Sequence, residues 1–99
     1  MHARVSLYEG GGAVAEVDTA VQAFKDALNA LREIDGHQGA TLLVDRNSGK
    51  AVTITYWDTE DHLKASVEAA DKLRRRAADM GGLSIRDVAH YEVAMEEKR

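Results

Sequence analysis

The chain has 99 residues, a formal charge of −4 and no cysteine. Its acidity argues against a general nucleic-acid surface. The missing thiols exclude disulfides, thiolate metal sites and thiol catalysis, and they suit a cytoplasmic location. One domain, residues 1–99, is expected at this length. No membrane segment is expected, because the richest apolar run, "ATLLV", is far too short to span a bilayer.

The first predicted element is a half-buried strand over residues 3–8, "ARVSLY". Alternation sets Ala3, Val5 and Leu7 on one face and Arg4, Ser6 and Tyr8 on the other. A glycine-rich connector over 9–13 follows. Gly10, Gly12 and Ala15 fit the G-x-G-x-x-G/A spelling of a dinucleotide loop. That fold needs several parallel βαβ units and an acidic end to the second strand. Here the second strand turns into a hairpin, so the glycines read as a relaxed strand-to-helix turn. A helix is predicted from Val14 to Arg32, with Val14, Val17, Val21, Phe24, Leu28 and Leu31 as its apolar stripe.

"DGHQG" breaks that helix, and two strands, "ATLLVDR" and "KAVTITYW", flank "NSG". A three-residue loop, Asn47–Gly49, is expected to set the hairpin register. It pairs Val44 with Val52, Leu42 with Ile54 and Ala40 with Tyr56 on one face. Leu43, Thr41, Thr53, Thr55 and Trp57 then share the other. Asp58 is the expected N-cap of a second helix, with Leu63, Val67, Ala70, Leu73, Ala77 and Met80 on its buried side. Arg74, Arg75 and Arg76 read as a solvated helix end, and Gly81 and Gly82 stop the helix. A last strand is predicted over residues 84–95, with Ile85, Ala89, Tyr91 and Val93 on one face and Arg86, His90 and Glu92 on the other. His90 and Glu92 could pair on a metal or a proton, but no H-x-x-x-H spacing exists, so no metal is expected.

The order is β-α-β-β-α-β, the α+β, ferredoxin-like arrangement of a four-stranded antiparallel sheet with both helices on one face. The open face, expected to hold Tyr8, Leu43, Thr41, Thr53, Thr55 and Trp57, carries little charge. A second copy packed on it, a homodimer, would cover it. Leu43, Thr53, Thr55 and Trp57 are the expected dimer contacts.

The run Gly36–Ser66, "GHQGATLLVDRNSGKAVTITYWDTEDHLKAS", resembles the antibiotic biosynthesis monooxygenase family. The likeness lies in Gly36 and Gly39 before the second strand, "LLVDRNSGKA" at the hairpin, "ITYWDTEDHLKAS" at the strand-to-helix junction and the closing "YEV" at 91–93. It implies a dimeric α/β barrel with a pocket between helices and sheet. It also implies a cofactor-independent monooxygenase acting on a small aromatic phenol, quinol or anthrone. The haem-degrading members carry an asparagine on the first strand and a histidine late in the second helix. Here those places hold Ser6 or Leu7 and Ala70, Asp71 or Lys72, so no cofactor is expected. For cofactor-free oxygenation, His62 is the candidate base and Tyr56 the candidate donor to an oxyanion. Phe24, Leu42, Ile54 and Ser66 are the candidate pocket residues. The alternatives are a non-catalytic small-molecule binder or stress-associated dimer, and an isomerase or decarboxylase of a related barrel.

Overall fold

The structure is a computed structural model that describes residues 1–10 and 14–99, with side chains in the first helix from Val17 onward. Residues 11–13 of the expected connector, Gly12 among them, and the side chains of Val14 and Ala15 lie outside the described residues.

The elements run β1 (His2–Gly10), α1 (Val14–Leu31), β2 (His37–Asp45), β3 (Lys50–Trp57), α2 (Glu60–Ala65), α3 (Val67–Met80) and β4 (Leu83–Glu92). The sheet order is β2-β3-β1-β4, antiparallel throughout, in the expected ferredoxin-like α+β arrangement. Helices α1 and α3 pack on each other and over the sheet. Their contact is built from small residues: Ala20, Ala23, Ala70, Ala77 and Ala78 are all buried. Gly81 sits so close to Ala20 that a Cβ there would come within 2.6 Å of the Ala20 methyl. Side chains this small bring the helices together without filling the space above the sheet.

The hairpin differs from expectation. Asp45 pairs with Lys50, Val44 with Ala51, Leu43 with Val52 and Leu42 with Thr53, around a four-residue loop over 46–49. Asp45 is the cause. Its carboxylate accepts from the backbone N–H of Asn47 (2.9 Å) and of Ser48 (3.3 Å), an Asx turn. Gly49, at φ +77°, closes the loop by donating to the Asp45 carbonyl at 2.9 Å. A register change of one residue on one strand exchanges its faces. Thr53, Thr55 and Trp57 therefore face the helices, while Ile54 and Tyr56 face away with Leu43.

Strand β1 is also turned from the expected sense. Arg4 pairs with Thr55, Ser6 with Thr53 and Tyr8 with Ala51, which puts all three on the helix side. Ala3, Val5 and Leu7 lie on the open face. In β4 a bulge opposite Leu7 and Tyr8 shifts the alternation. Ile85, Val88 and His90 follow Tyr8, Ser6 and Arg4 toward the helices, while Asp87, Ala89 and Tyr91 face outward.

The second expected helix is two helices. Thr59, not Asp58, caps α2, its hydroxyl accepting from His62 N–H at 3.1 Å. The break at Ser66 resets the phase of α3. Ala70, Arg74, Ala77 and Ala78 turn inward, while Val67 (42% exposed) and Met80 (61%) face water rather than the core.

Candidate functional site

The inward face of β1 is polar, and it forms one end of a cavity of about 390 Å³. Above lie Val21, Phe24, Leu28 and Leu31 of α1; beside them lie Ala40, Leu42 and Val44 of β2, and Ala70 and Arg74 of α3. Arg4, Ser6 and Tyr8 of β1 and Thr53 and Thr55 of β3 supply the polar end. This composition, an apolar chamber with a few convergent polar groups, is that of a small-molecule site. Among the charged residues in the described lining are Arg4, Lys25, Arg46 and Arg74, and no carboxylate or histidine.

Arg4 is the central group. It is 3% exposed on a strand between two others. Its Nη2 donates to the Leu63 carbonyl at 3.0 Å and to Ser66 Oγ at 2.9 Å. Ser66 Oγ in turn donates to the same carbonyl at 2.6 Å. The break between α2 and α3 thus serves as a socket for the guanidinium. Arg4 Nε donates to His90 Nε2 at 3.2 Å, and its Cζ lies 5.6 Å from the Trp57 ring centroid, a cation–π distance. One nitrogen, Nη1, is buried and has no acceptor. Burial pulls the Arg4 pKa down to about 10, and Arg74 adds repulsion. The group stays charged at neutral pH. Leaving a charged donor buried without an acceptor is costly, so the socket holds Arg4 against its own solvation.

The hydroxyls are ordered around it. Tyr8 and Thr53 share a hydrogen bond of 3.0 Å, and the Tyr8 ring meets Phe24 edge-on at 5.1 Å. Burial pushes the Tyr8 pKa up, so at neutral pH it is a neutral phenol rather than a base. Thr55 accepts from Trp57 Nε1 at 3.0 Å and keeps its own hydrogen to give. Arg74 reaches Asp71, which also pairs with Arg75; its Nε is a second buried donor without an acceptor.

The expected site residues are divided by this geometry. Phe24 and Leu42 line the cavity. Ser66 is buried behind it as the support of Arg4. His62 stands at the start of α2, 43% exposed, with Nδ1 on the Asp58 carboxylate at 2.6 Å. That bond raises its pKa and ties it to the residue just before the α2 cap, away from the cavity. Tyr56 and Ile54 are on the opposite face of the sheet from the cavity, for the register reason given above. Of the expected dimer contacts, Leu43 is on the open face, 52% exposed, whereas Thr53 and Thr55 line the cavity and Trp57 is fully buried under the helices. Sequence alone does not single out Arg4 and Tyr8 for this site. Their signal was the polar alternation of "ARVSLY", which reads equally as a solvent face.

His90 answers to the same cluster. Burial, then the charges of Arg4 and Arg74, hold its pKa below the ordinary 6.5. Its neutral ring is favoured in the folded state, so its contribution to stability is complete above pH 6.5 and is lost as pH falls through the folded value. Thermal melting of the wild type is expected to lose ground to His90→Gln as pH drops below 6.5. The rise in the His62 pKa acts in the opposite sense but is common to both proteins. A melting gap independent of pH would contradict the Arg4–His90 coupling.

Residues 14–74 match the model of a family described as antibiotic biosynthesis monooxygenase. The chain belongs to this family. An uncharacterized protein of Mycobacterium tuberculosis, Rv2558, is 40% identical over 80 residues, which are 80% of this chain and 34% of that protein. The chain thus spans about a third of the length of the curated relatives it matches. A monooxygenase from the gene ActVA-Orf6 of Streptomyces coelicolor, in complex with Nanaomycin D, superposes with a TM-score of 0.77 at 17% identity, covering 99% of this chain and 91% of that one. SnoaB, a cofactor-independent oxygenase from Streptomyces nogalater, gives 0.70 at 20% identity, with 96% and 94% covered. At these identities the likeness is one of fold. The family match begins with α1, so Arg4, Ser6 and Tyr8 stand outside the matched segment of this antibiotic biosynthesis monooxygenase relative. None of the helices among the described residues is long and apolar enough to cross a membrane.

Proposed function

We propose that the chain is a cofactor-independent monooxygenase for a small aromatic phenol, quinol or anthrone bound in the cavity under α1. The observation that carries this reading is the apolar chamber ending in Arg4, Tyr8, Thr53 and Thr55, in a protein of a monooxygenase family. About 390 Å³ suits a fused aromatic ring system. The deprotonated substrate supplies the electrons to O₂. One oxygen atom ends on the substrate carbon and the other leaves as water. An anthrone gives both hydrogens from its methylene carbon, which becomes a carbonyl, and a phenol or quinol gives one from the ring carbon and one from its hydroxyl. The protein's part is to exclude bulk water, orient the ring between Phe24 and the sheet, and stabilise the substrate oxyanion with donors already in place. In this reading Arg4 and Tyr8 take the donor role expected of Tyr56.

An oxygen electrode with a panel of quinols, anthrones and naphthols tests the reading. Wild type consumes O₂ with at least one of them. His62→Ala and Tyr56→Phe keep that rate within about twofold, because neither side chain reaches the cavity. Loss of turnover in His62→Ala would return the base to α2 and overturn this placement. The absence of a carboxylate or histidine from the described lining favours a second reading, a ligand-binding protein without turnover. Its mark is a raised melting temperature with an aromatic ligand and no oxygen uptake.

The homodimer belongs to the same proposal, with corrected contacts. Leu7 (41% exposed), Leu43 (52%) and Tyr91 (56%) lie on the open face with Val52 and Ile54. Apolar side chains grouped this way suit an isologous partner. Leu43→Glu is expected to convert a dimer to a folded monomer in light scattering; an unchanged dimer mass would rule out a sheet-to-sheet contact.

A further inference from the structure

The geometry points to the cavity as a site for an aromatic monoanion, whose charged oxygen, phenolate or carboxylate, is held by Arg4 with Arg74 beside it. The inference deepens the proposed function, since it names the charge state of the ligand in the same cavity. Three observations support it. The described lining carries four cationic side chains and no carboxylate, in a protein whose formal charge is −4. Arg46 is partly answered by Asp18 at 2.9 Å, and Asp71 is divided between Arg74 and Arg75; Arg4 has no carboxylate partner among its hydrogen bonds. Both Arg4 and Arg74 keep a buried N–H donor without an acceptor.

A charge buried this way is balanced when an anion enters. Low-dielectric walls focus the field of the guanidinium groups on the chamber. The same field removes the need for a base in the lining. A phenol with an ordinary ionisation near neutrality enters, or is converted there, as its phenolate, and the proton leaves to solvent. The apolar residues of α1 and β2 select the ring, and the arginines select the charge.

The test uses the whole protein with three ligands: para-nitrophenol, 2-naphthoate, and para-nitroanisole as the neutral methyl ether. Visible absorbance reports the ionisation of bound nitrophenol, and equilibrium dialysis gives the affinities. The bound phenol is expected to ionise about one pH unit or more below the free one. The nitrophenolate is expected to bind roughly tenfold or more tighter than the ether. Arg4→Met and, independently, the less buried Arg74→Gln erase that preference. Retained binding of the ether shows that the cavity persists in each variant. Tight binding of naphthoate extends the site to carboxylates, and its failure beside phenolate success confines the anion to phenolates. An unshifted or raised ionisation in wild type, or equal binding of the ether, overturns the inference without need of a variant. Phenolate capture with no oxygen uptake by any substrate would leave this site standing and remove the oxygenase reading. Oxygen uptake with no charge preference would do the reverse.

Discussion

Replacing Trp57 with alanine is expected to cost about 3–5 kcal/mol of folding stability. The ring is 0% exposed and is the largest fully buried side chain among the described residues. It packs edge-on to His37 at 5.5 Å and carries Arg4 at 5.6 Å from its centroid. Its Nε1 donates to Thr55. Alanine would remove the packing, the cation–π contact and that hydrogen bond together. It would leave the Arg4 guanidinium beside a void. Trp57→Phe keeps most of the packed area and is expected to lose only the hydrogen bond and some ring surface, about 1–2 kcal/mol. Urea unfolding of the two variants measures both. A loss under about 1 kcal/mol for the alanine variant, in the range of surface substitutions, would contradict burial under the helices and return Trp57 to the sheet's other face.

Gly36→Ala is expected to cost about 2 kcal/mol or more. Gly36 has φ +86°, which an L-residue enters at a cost of roughly 1–2 kcal/mol. A methyl group there would also run into the Cβ of His62 and the carboxylate of Asp58. The turn cannot easily move away, because the Gly36 carbonyl accepts from Asp58 N–H at 2.9 Å and joins the start of β2 to the end of β3. The same unfolding assay tests it. Wild-type stability in Gly36→Ala would mean that this junction is looser than its hydrogen bonds and its approach to His62 describe.

The order of strands and helices was legible because each element carries its own period: alternation in "ARVSLY" and "KAVTITYW", and three-to-four spacing from Val17 to Leu31. Gly36 was visible as a turn for the same local reason. What could not be read was which way each strand faces. In β1 the rule of apolar residues inward assigns Ala3, Val5 and Leu7 to the core, but the protein turns Arg4, Ser6 and Tyr8 inward, where Arg4 is held by the Leu63 carbonyl and Ser66, and Tyr8 meets Phe24. The hairpin faces hinged on one loop residue, decided by Asp45 capping its own turn. Residue type alone therefore points to Tyr56 and His62 and carries no sign of the inward guanidinium. The socket for Arg4 is nonlocal: Leu63 and Ser66 are about 60 positions away along the chain. No periodicity reports such a contact.

The proposed oxygenase transfers one oxygen atom from O₂ to an aromatic substrate in this chamber. Mass spectrometry of the product formed under heavy-isotope oxygen gas tests it most directly, with wild type and Arg4→Met run side by side on the substrate that the oxygen electrode selects. One heavy oxygen atom per product molecule from wild type, with formation slowed roughly 10²–10³-fold by Arg4→Met, is the predicted result. No labelled product above the protein-free control, or labelled product formed equally by both proteins, would contradict it.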